Sequence, residues 1–238
     1  MSEEGGEPGR RRMVRPPAGG DVAGRKGAVR LRTAKERTPS SQAWLERQLN
    51  DPYVARAKAE GWRSRAAFKL AEIDDRFRLI RPGARVVDLG CAPGGWVQVA
   101  QRRGAGAVAG VDLLAVDPLP PATLIEGDFT DPEIAPRLLD ALGGPPDLVL
   151  SDMAPNTVGH PRTDHLRIVG LLELAAEFAV AHLRPGGAFV AKAFQGGATG
   201  EVLTPLKAAF DVVRHVKPKA SRSDSSEVYL VATGRKAG

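Results

Sequence analysis

The sequence predicts an α/β fold: a mostly parallel, doubly wound sheet that ends in an antiparallel hairpin. From Arg85 onward, short apolar strands rich in β-branched residues alternate with helical segments, and this alternation is typical of a parallel sheet covered by helices on both faces. Only about ten residues join the last two predicted strands, too few for the helical crossover that a parallel connection needs. We therefore expect these two strands to pair in antiparallel orientation.

The elements can be placed one by one. The predicted strands are residues 85–89, 107–113, 123–125, 147–152, 188–194, 212–216 and 227–233. Helices are predicted from about Gly95 and over residues 132–142, 163–183 and 199–210. Two more helices are expected before the sheet, because apolar residues recur at helical spacing from Ser41 and again from Ser64, which we expect to cap the second of them.

The first 40 residues differ in composition from the rest of the chain. They contain ten Lys and Arg residues against five Asp and Glu residues, with paired glycines and prolines and few large apolar side chains. Such a segment buries too little surface to offset its ordering entropy. We therefore expect a disordered basic tail over residues 1–40, either an RNA tether or a dispensable extension, followed by one domain over residues 41–238.

Composition narrows the class of protein. No run of about 18 apolar residues is present, and the basic N-terminus lacks the apolar stretch of a secretory signal, so we expect a cytoplasmic protein. The single cysteine, Cys91, excludes an internal disulfide and a cysteine-based zinc site, and four scattered histidines indicate no metal site. The net charge of +6 and the pI of about 9.8 favour a polyanionic partner.

A glycine-rich turn, DLGCAPGGW, follows the first strand over residues 88–96. In a doubly wound sheet this turn lies at the carboxyl edge, where ligands bind. Asp112 ends the second strand, where a carboxylate can accept hydrogen bonds from ribose hydroxyls, and Asp128 follows the third strand, where it can take one from an adenine amino group. A nicotinamide site has a similar signature, but Ala92 at the central glycine position and Pro93, which has no amide donor, favour an adenosyl ligand without a pyrophosphate. A purely structural tight turn is the remaining alternative.

Four polar residues stand out near the predicted sheet. Lys69 lies in the helix before the sheet, Asp152 ends the fourth strand, Lys192 interrupts the apolar fifth strand, and Glu227 opens the last strand. A lysine in an apolar strand is costly unless it is paired, and the ends of central strands are where α/β sheets carry their sites. Taken singly, Lys69 and Glu227 have the features of surface charges and Lys192 those of a structural ion pair. Together they predict a site, provided that the fold brings them to one place.

Five stretches make the chain from about Ser41 to Lys236 similar to the FtsJ/RrmJ family, the bacterial large-subunit ribosomal RNA 2'-O-ribose methyltransferases also called RlmE. The stretches are SRAAFKL (64–70), VVDLGCAPGGW (86–96), SDMAPN (151–156), AKAFQG (191–196) and SSEVYLVATGRK (225–236). The resemblance implies a Rossmann-like class I methyltransferase fold, S-adenosyl-L-methionine as cofactor, and a uridine in the A-loop of the 23S rRNA as target. It implies a catalytic tetrad of Lys69, Asp152, Lys192 and Glu227, and cofactor contacts at Gly94, Trp96, Asp112, Asp128 and Asp152. The departures are Cys91 where Ala is common, a shorter connection before Asp112 and the basic tail, and none of them touches the tetrad.

The chemistry of such a transfer accounts for these residue types. A ribose 2'-hydroxyl is a weak nucleophile, so a base must take its proton as the oxygen attacks the sulfonium methyl in line. Free lysine, with a pKa of about 10.4, is protonated at neutral pH, whereas partial burial and a second ammonium group favour the neutral amine. We expect Lys192 to be the base, Lys69 to supply the second charge and hold the ribose or phosphate, and Asp152 and Glu227 to orient the two lysines. SDMAPN differs from the Asp/Asn-Pro-Pro-aromatic string of amino-methylating enzymes, which favours an oxygen target.

RNA contacts are expected from basic residues in loops and helix ends near the site, with a solvated basic rim as the alternative: Arg63, Arg65, Lys217, Lys219 and Arg222. Phosphate contacts position RNA without reading its sequence, so target choice has to come from RNA shape or flipped-out bases. The expected partner is the 23S rRNA or the large ribosomal subunit, and we expect a monomer because no unexplained apolar stripe remains. The alternatives are the same transfer on another RNA, such as a tRNA anticodon loop or an mRNA cap, a ribosome-assembly factor that acts by RNA binding, and a nicotinamide oxidoreductase.

Overall fold

The computed structural model describes residues 42, 45, 46, 48–155, 161–194 and 200–237, and all the elements below belong to the compact unit Arg47–Gly238. The basic tail predicted over residues 1–40 lies outside the described residues. The helices are α1 (Pro52–Ala59), α2 (Ala66–Phe77), α3 (Gly95–Arg102), α4 (Ile134–Leu142), α5 (Pro161–His182) and α6 (Gly200–Ala209). The strands are β1 (Arg85–Leu89), β2 (Ala107–Asp112), β3 (Thr123–Glu126), β4 (Leu148–Ser151), β5 (Ala188–Phe194), β6 (Phe210–Val216) and β7 (Glu227–Arg235). From β1 onward, the observed ends of the strands and helices lie within two residues of the predicted ends. Different ways of assigning secondary structure disagree by a similar amount.

The seven strands form one sheet in the order β3-β2-β1-β4-β5-β7-β6. Strands β1 to β5 pair in parallel, and β7 pairs antiparallel with both β5 and β6. The predicted doubly wound sheet with an antiparallel C-terminal hairpin is therefore confirmed. The strand order reverses between β1 and β4, so the carboxyl ends of these two strands flank the crevice in which α/β folds bind ligands.

Helices cover both faces of the sheet. On one face α4, α5 and α6 pack through apolar residues such as Leu138, Leu172 and Leu206, and on the other α2 and α3 pack around Leu70 and Val97. Successive side chains of a strand alternate between the two faces, so every second residue of β1, β5 and β7 points toward α2 and α3. Within the described residues, no helix has the length and apolar character needed to cross a bilayer.

The segment before the sheet differs from its prediction at two points. The helix predicted from Ser41 is broken at Asp51, whose Oδ1 accepts a hydrogen bond from the Tyr53 amide at 3.0 Å and caps α1. The prediction that Ser64 caps the next helix is wrong, because α2 begins at Ala66 without a side-chain cap. The Ser64 hydroxyl lies instead against Gly95, where an added Cβ would be 2.4 Å from it. This close contact joins the segment before α2 to the start of α3.

Candidate active site

Polar side chains from four parts of the chain meet at the carboxyl edge of the sheet. Lys69 comes from α2, Asp152 follows β4, Lys192 comes from β5, and Glu227 and Tyr229 come from β7. The register of β5 against β7 places Lys192 directly opposite Tyr229. The fold therefore brings the four residues of the predicted tetrad together and adds a tyrosine that was not predicted.

Lys69 and Glu227 form a mostly buried ion pair. Lys69 Nζ lies 2.7 Å from Glu227 Oε1 and donates to Oε2 at 2.9 Å, and the two side chains are 12% and 14% exposed. The Ser221 hydroxyl donates to Glu227 Oε1 at 2.9 Å. Because both carboxylate oxygens are engaged, Glu227 fixes the position of the Lys69 ammonium group.

Lys192 is anchored by two oxygens of Asp152. Its Nζ donates to the Asp152 carbonyl at 2.7 Å and lies 3.1 Å from Asp152 Oδ1. The Lys192 side chain is 9% exposed and that of Asp152 is 18% exposed. The lysine in the apolar strand is thus paired, as its burial requires, and the pair belongs to a larger cluster.

The Tyr229 hydroxyl joins the two ion pairs into one network. It accepts a hydrogen bond from Lys69 Nζ at 3.2 Å and donates one to Asp152 Oδ1 at 2.9 Å. Burial, reinforced by the carboxylates of Asp152 and Glu227, holds the pKa of the Tyr229 phenol well above its usual range, so the hydroxyl keeps its proton. Lys69 and Lys192 are therefore connected through Tyr229 and Asp152.

The glycine-rich turn packs against the segment that carries Asp152. Gly90 has a φ of 79°, and a Cβ there would come within 2.9 Å of the Met153 backbone, so this approach requires glycine. The Asp152 amide donates to the Leu89 carbonyl at 3.1 Å. The turn and the tetrad therefore lie side by side.

Three of the predicted cofactor contacts lie along this edge, and two of them, Asp112 and Asp128, keep free hydrogen-bonding capacity. Gly94, with a φ of 102°, is the N-cap residue just before α3, and its amide donates to the Cys91 carbonyl at 2.6 Å. Each carboxylate oxygen of Asp112 accepts one backbone amide at 2.9 Å. Asp128 is exposed, and hydrogen bonds from the Thr130 amide and then its hydroxyl lower the pKa of Asp128. Both carboxylates are fixed locally and keep further lone pairs for a ligand.

Of the two remaining predicted cofactor contacts, Asp152 belongs to the tetrad and Trp96 has a structural side chain. The indole is 3% exposed, donates from Nε1 to the Ala66 carbonyl at 2.8 Å, and packs on Tyr229 with ring centroids 5.7 Å apart. The side chain thus joins α3 to α2 and packs against the tyrosine that links the residues of the tetrad. Only the backbone amide of Trp96, in the first turn of α3, remains for a ligand.

Asp88 is a buried carboxyl that the sequence patterns did not single out. It is 1% exposed, and neither of its oxygens has a hydrogen-bond partner in the described part of the chain. Burial, reinforced by Asp152 and then Asp112, raises the pKa of Asp88 well above the usual carboxyl range. A buried carboxyl without a partner is costly, so this position suits a ligand group that donates hydrogen bonds or carries positive charge.

The five predicted RNA-binding residues have different surroundings. Arg63 donates to three backbone carbonyls at 2.6 to 3.2 Å, which tie the glycine-rich turn to the loop after β2, so its guanidinium already has a structural use. Lys217 and Lys219 are exposed, and Lys217 donates to a backbone carbonyl of its own loop at 2.7 Å. Arg65 and Arg222 share one buried carboxylate near the tetrad.

A doubly wound sheet with a glycine-rich turn at its switch point, and a buried cluster of ionisable groups beside that turn, is typical of Rossmann-like enzymes. The model of the FtsJ-like methyltransferase family matches residues 62–235, and the chain belongs to this family. The predicted family and fold are confirmed, and the nicotinamide alternative is set aside.

Known proteins resemble the chain over most of its length. The ribosomal RNA large subunit methyltransferase E of Caulobacter sp. (strain K31) is 65% identical over 224 residues, covering 94% of this chain and 99% of that protein. The protein of the same name from Acidiphilium cryptum (strain JF-5) is 65% identical over 210 residues, covering 88% and 93%. Among solved structures, a Plasmodium falciparum chain described as a ribosomal RNA methyltransferase gives a TM-score of 0.66 at 29% identity, covering 74% of this chain and 100% of that chain.

Proposed function

We propose that this chain transfers a methyl group from S-adenosyl-L-methionine to a ribose 2'-hydroxyl of large-subunit ribosomal RNA. The observation that carries the proposal is the network in which Tyr229 joins the Lys69–Glu227 pair to the Asp152–Lys192 pair, next to the glycine-rich turn. Family membership supports methyl transfer, and relatives at 65% identity that are named ribosomal RNA large subunit methyltransferase E support the RNA substrate.

The residues of the crevice fit S-adenosyl-L-methionine, which supplies an electrophilic methyl group when bound. Asp88 provides the test of this fit, because two unpartnered buried oxygens match a ligand that carries an ammonium group. Asp112 would hold the ribose hydroxyls and Asp128 the adenine amino group. The amide of Trp96, in the first turn of α3, suits the ligand carboxylate, whereas the Gly94 amide donates to the Cys91 carbonyl at 2.6 Å.

Lys192 is the base in this proposal. As the neutral amine, its Nζ takes the proton of the 2'-hydroxyl while the oxygen bonds to the methyl carbon. Asp152 holds Nζ through its carbonyl and carboxylate, so it aims the amine and stabilises the positive charge that the amine gains. Lys69, fixed by Glu227, holds the ribose or its phosphate.

The finer assignments follow the family resemblance. We propose a uridine in the A-loop of the 23S rRNA as the target, a monomeric enzyme, and action in the cytoplasm, where large ribosomal subunits are assembled. A tRNA anticodon loop and an mRNA cap are the alternative substrates. A role in ribosome assembly by RNA binding alone is the alternative function.

The experiment follows labelled methyl groups from S-adenosyl-L-methionine onto RNA. Wild type, Lys192→Ala, Lys192→Arg and Lys207→Ala are each offered undermethylated large subunits, naked 23S rRNA and bulk tRNA. Lys192→Arg keeps the charge but cannot act as a base, and Lys207 is an exposed lysine of α6 that serves as the control. We expect label on a 2'-oxygen of large-subunit RNA with wild type and Lys207→Ala, and a loss of at least about 100-fold in both Lys192 variants.

Each other outcome corrects a different part of the proposal. Label confined to tRNA would keep the reaction and overturn the substrate. Near-normal turnover by Lys192→Ala would reject Lys192 as the base. Measurable cofactor binding without label on any RNA would move the conclusion to RNA binding in ribosome assembly.

A further inference from the structure

The loop between β6 and β7 provides a second hydrogen bond to the carboxylate of the Lys69–Glu227 pair. The Ser221 hydroxyl donates to Glu227 Oε1 at 2.9 Å, and the same oxygen lies 2.7 Å from Lys69 Nζ. Ser221 is only 6% exposed, and a hydrogen bond is stronger where little water reaches it. The orientation of the Glu227 carboxylate is therefore set from two sides, by α2 and by this loop.

The turn that carries Ser221 is itself tied to α2. It is closed by a hydrogen bond from the Ser221 amide to the Pro218 carbonyl at 3.0 Å. The two residues between them, Lys219 and Ala220, donate through their amides to Glu72 Oε2 at 2.6 and 3.4 Å. Successive backbone amides that point to one side form a favourable site for a carboxylate. Glu72, a residue of α2, therefore fixes the turn against the helix.

These contacts form a closed ring that begins and ends on α2. Lys69 and Glu72 are three residues apart on this helix and therefore lie on the same side of it. Lys69 pairs with Glu227, which accepts the hydrogen bond from Ser221. The turn that carries Ser221 returns to the helix at Glu72. Because each member is held by both of its neighbours, the Lys69 ammonium group is positioned before any RNA binds.

The Ser221 hydroxyl bonds outside its own turn. Serine side chains in turns commonly bond to backbone groups a few residues away, and Ser225 does so, since its hydroxyl accepts a hydrogen bond from the Glu227 amide at 3.1 Å. The Ser221 hydroxyl instead contacts the carboxylate of Glu227, six residues along the chain. Its hydrogen bond therefore serves the proposed site rather than the turn.

We propose that Ser221 and Glu72 are positioning residues for the methyl transfer. Glu72 holds the turn, and the Ser221 hydroxyl orients the Glu227 carboxylate. Glu227 then places the Lys69 ammonium group against the ribose or phosphate of the target nucleotide. The inference rests on the proposed function, because it presupposes an RNA ribose at the tetrad. A displacement of about 1 Å at a group that aligns the reactants can lower a rate by about 100-fold, so small changes in this ring have measurable effects on kcat.

Steady-state kinetics of methyl transfer to undermethylated large ribosomal subunits test the role of Ser221. Ser221→Ala removes the hydroxyl, and Ser223→Ala is the matched control, because Ser223 is an exposed serine of the same loop. We expect Ser221→Ala to lower kcat about tenfold, less than a full loss of alignment, because Lys69 still holds Glu227. KM should stay within about twofold of wild type, because the phosphate contacts made elsewhere on the RNA are unchanged. Ser223→Ala should match wild type in both parameters.

A double-mutant cycle tests whether Glu72 acts through Ser221. Glu72→Ala removes the acceptor of the turn amides, whereas Glu72→Gln keeps an oxygen acceptor there. We expect Glu72→Ala to lower kcat by up to about tenfold and Glu72→Gln to retain the wild-type kcat. The double variant Glu72→Ala/Ser221→Ala should be no slower than Ser221→Ala alone, because both changes open the same ring. Losses that multiply in the double variant would refute the ring, because the two residues would then act independently.

Turnover by wild type tests the proposed function, and only the differences among variants test the positioning role. Urea unfolding checks that each variant is folded in the assay, and Glu72→Ala tests the ring without a change in the core, because Glu72 is half-buried. A kcat for Ser221→Ala equal to that of Ser223→Ala would overturn the proposal. A raised KM with unchanged kcat would also overturn it, since the hydroxyl would then support RNA binding by the loop and not the position of Lys69.

Discussion

Replacing Asp88 by asparagine tests the electrostatics of the cofactor crevice. Asp88 is 1% exposed with neither oxygen partnered in the described residues, and burial together with Asp152 and Asp112 raises its pKa well above the usual range. In the unfolded chain the same carboxyl titrates near the reference pKa of about 3.9. Between these two pKa values the folded protein therefore holds one proton more than the unfolded chain.

The sign and size of the effect follow from this proton. Because the folded state binds the extra proton, the contribution of Asp88 to the free energy of unfolding falls as pH rises, by about 1.4 kcal/mol per pH unit. Asp88→Asn has no titrating group at this position. The free energy of unfolding of the variant, relative to wild type, should therefore rise with pH by about 1.4 kcal/mol per unit, from about pH 4 up to the raised pKa of the folded state. The asparagine amide also changes the free energy of unfolding by itself, but this change does not depend on pH.

Urea unfolding without cofactor, at intervals from about pH 5 to about pH 8, measures this difference. Asp140→Asn is the matched control, because Asp140 is an exposed carboxyl of α4, and its difference from wild type should stay flat. A flat difference for Asp88→Asn, or one that falls with pH, would refute the conclusion that the buried carboxyl is protonated in the empty protein.

Three other predictions concern the same region. Calorimetry in buffers of different ionisation enthalpy should show that cofactor binding releases up to about one proton from wild type and none from Asp88→Asn; equal wild-type heats would contradict this. Tyr229→Phe should lower the free energy of unfolding by about 1–3 kcal/mol, since it removes a buried hydrogen bond to the Asp152 carboxylate, and an unchanged urea midpoint would count against the network. Gly90→Ala should cost at least about 2 kcal/mol and weaken cofactor binding, because φ is positive and the methyl group meets the Met153 backbone; wild-type urea unfolding would show that the turn adapts.

The sheet was predictable because its signals are local. β1, β4 and β5 consist mostly of buried apolar residues between turn signals, and short connections between such strands leave few topologies. The start of α2 was not predictable in this way. Ser64 has the features of a cap, but its role is decided by a contact with Gly95, which depends on how two distant segments pack.

Sequence patterns could identify some residues of the site but not others. Lys192 was conspicuous as a charge in an apolar strand, and the same reasoning applied to β1 would have singled out Asp88. The alternation of β7 would have placed Tyr229 on the face of Glu227. Arg63 marks the limit, because the carbonyls that it binds come from loops far along the chain. Its structural use cannot be told from RNA binding by composition alone.

Successive side chains of β7 point to opposite faces of the sheet, so the residues of the proposed site and those of the larger core alternate along this strand. Glu227 and Tyr229 point to the α2–α3 face, while Val228 and Leu230 point to the α4–α6 face. A shift of β7 by one residue along β5 would keep a paired sheet but turn the phenol and the carboxylate to the wrong face and bring Val228 or Leu230 opposite Lys192. We therefore expect insertions or deletions within the first residues of this strand to give a folded protein that lacks the proposed active site, whereas changes in length at its far end leave Glu227 and Tyr229 in place.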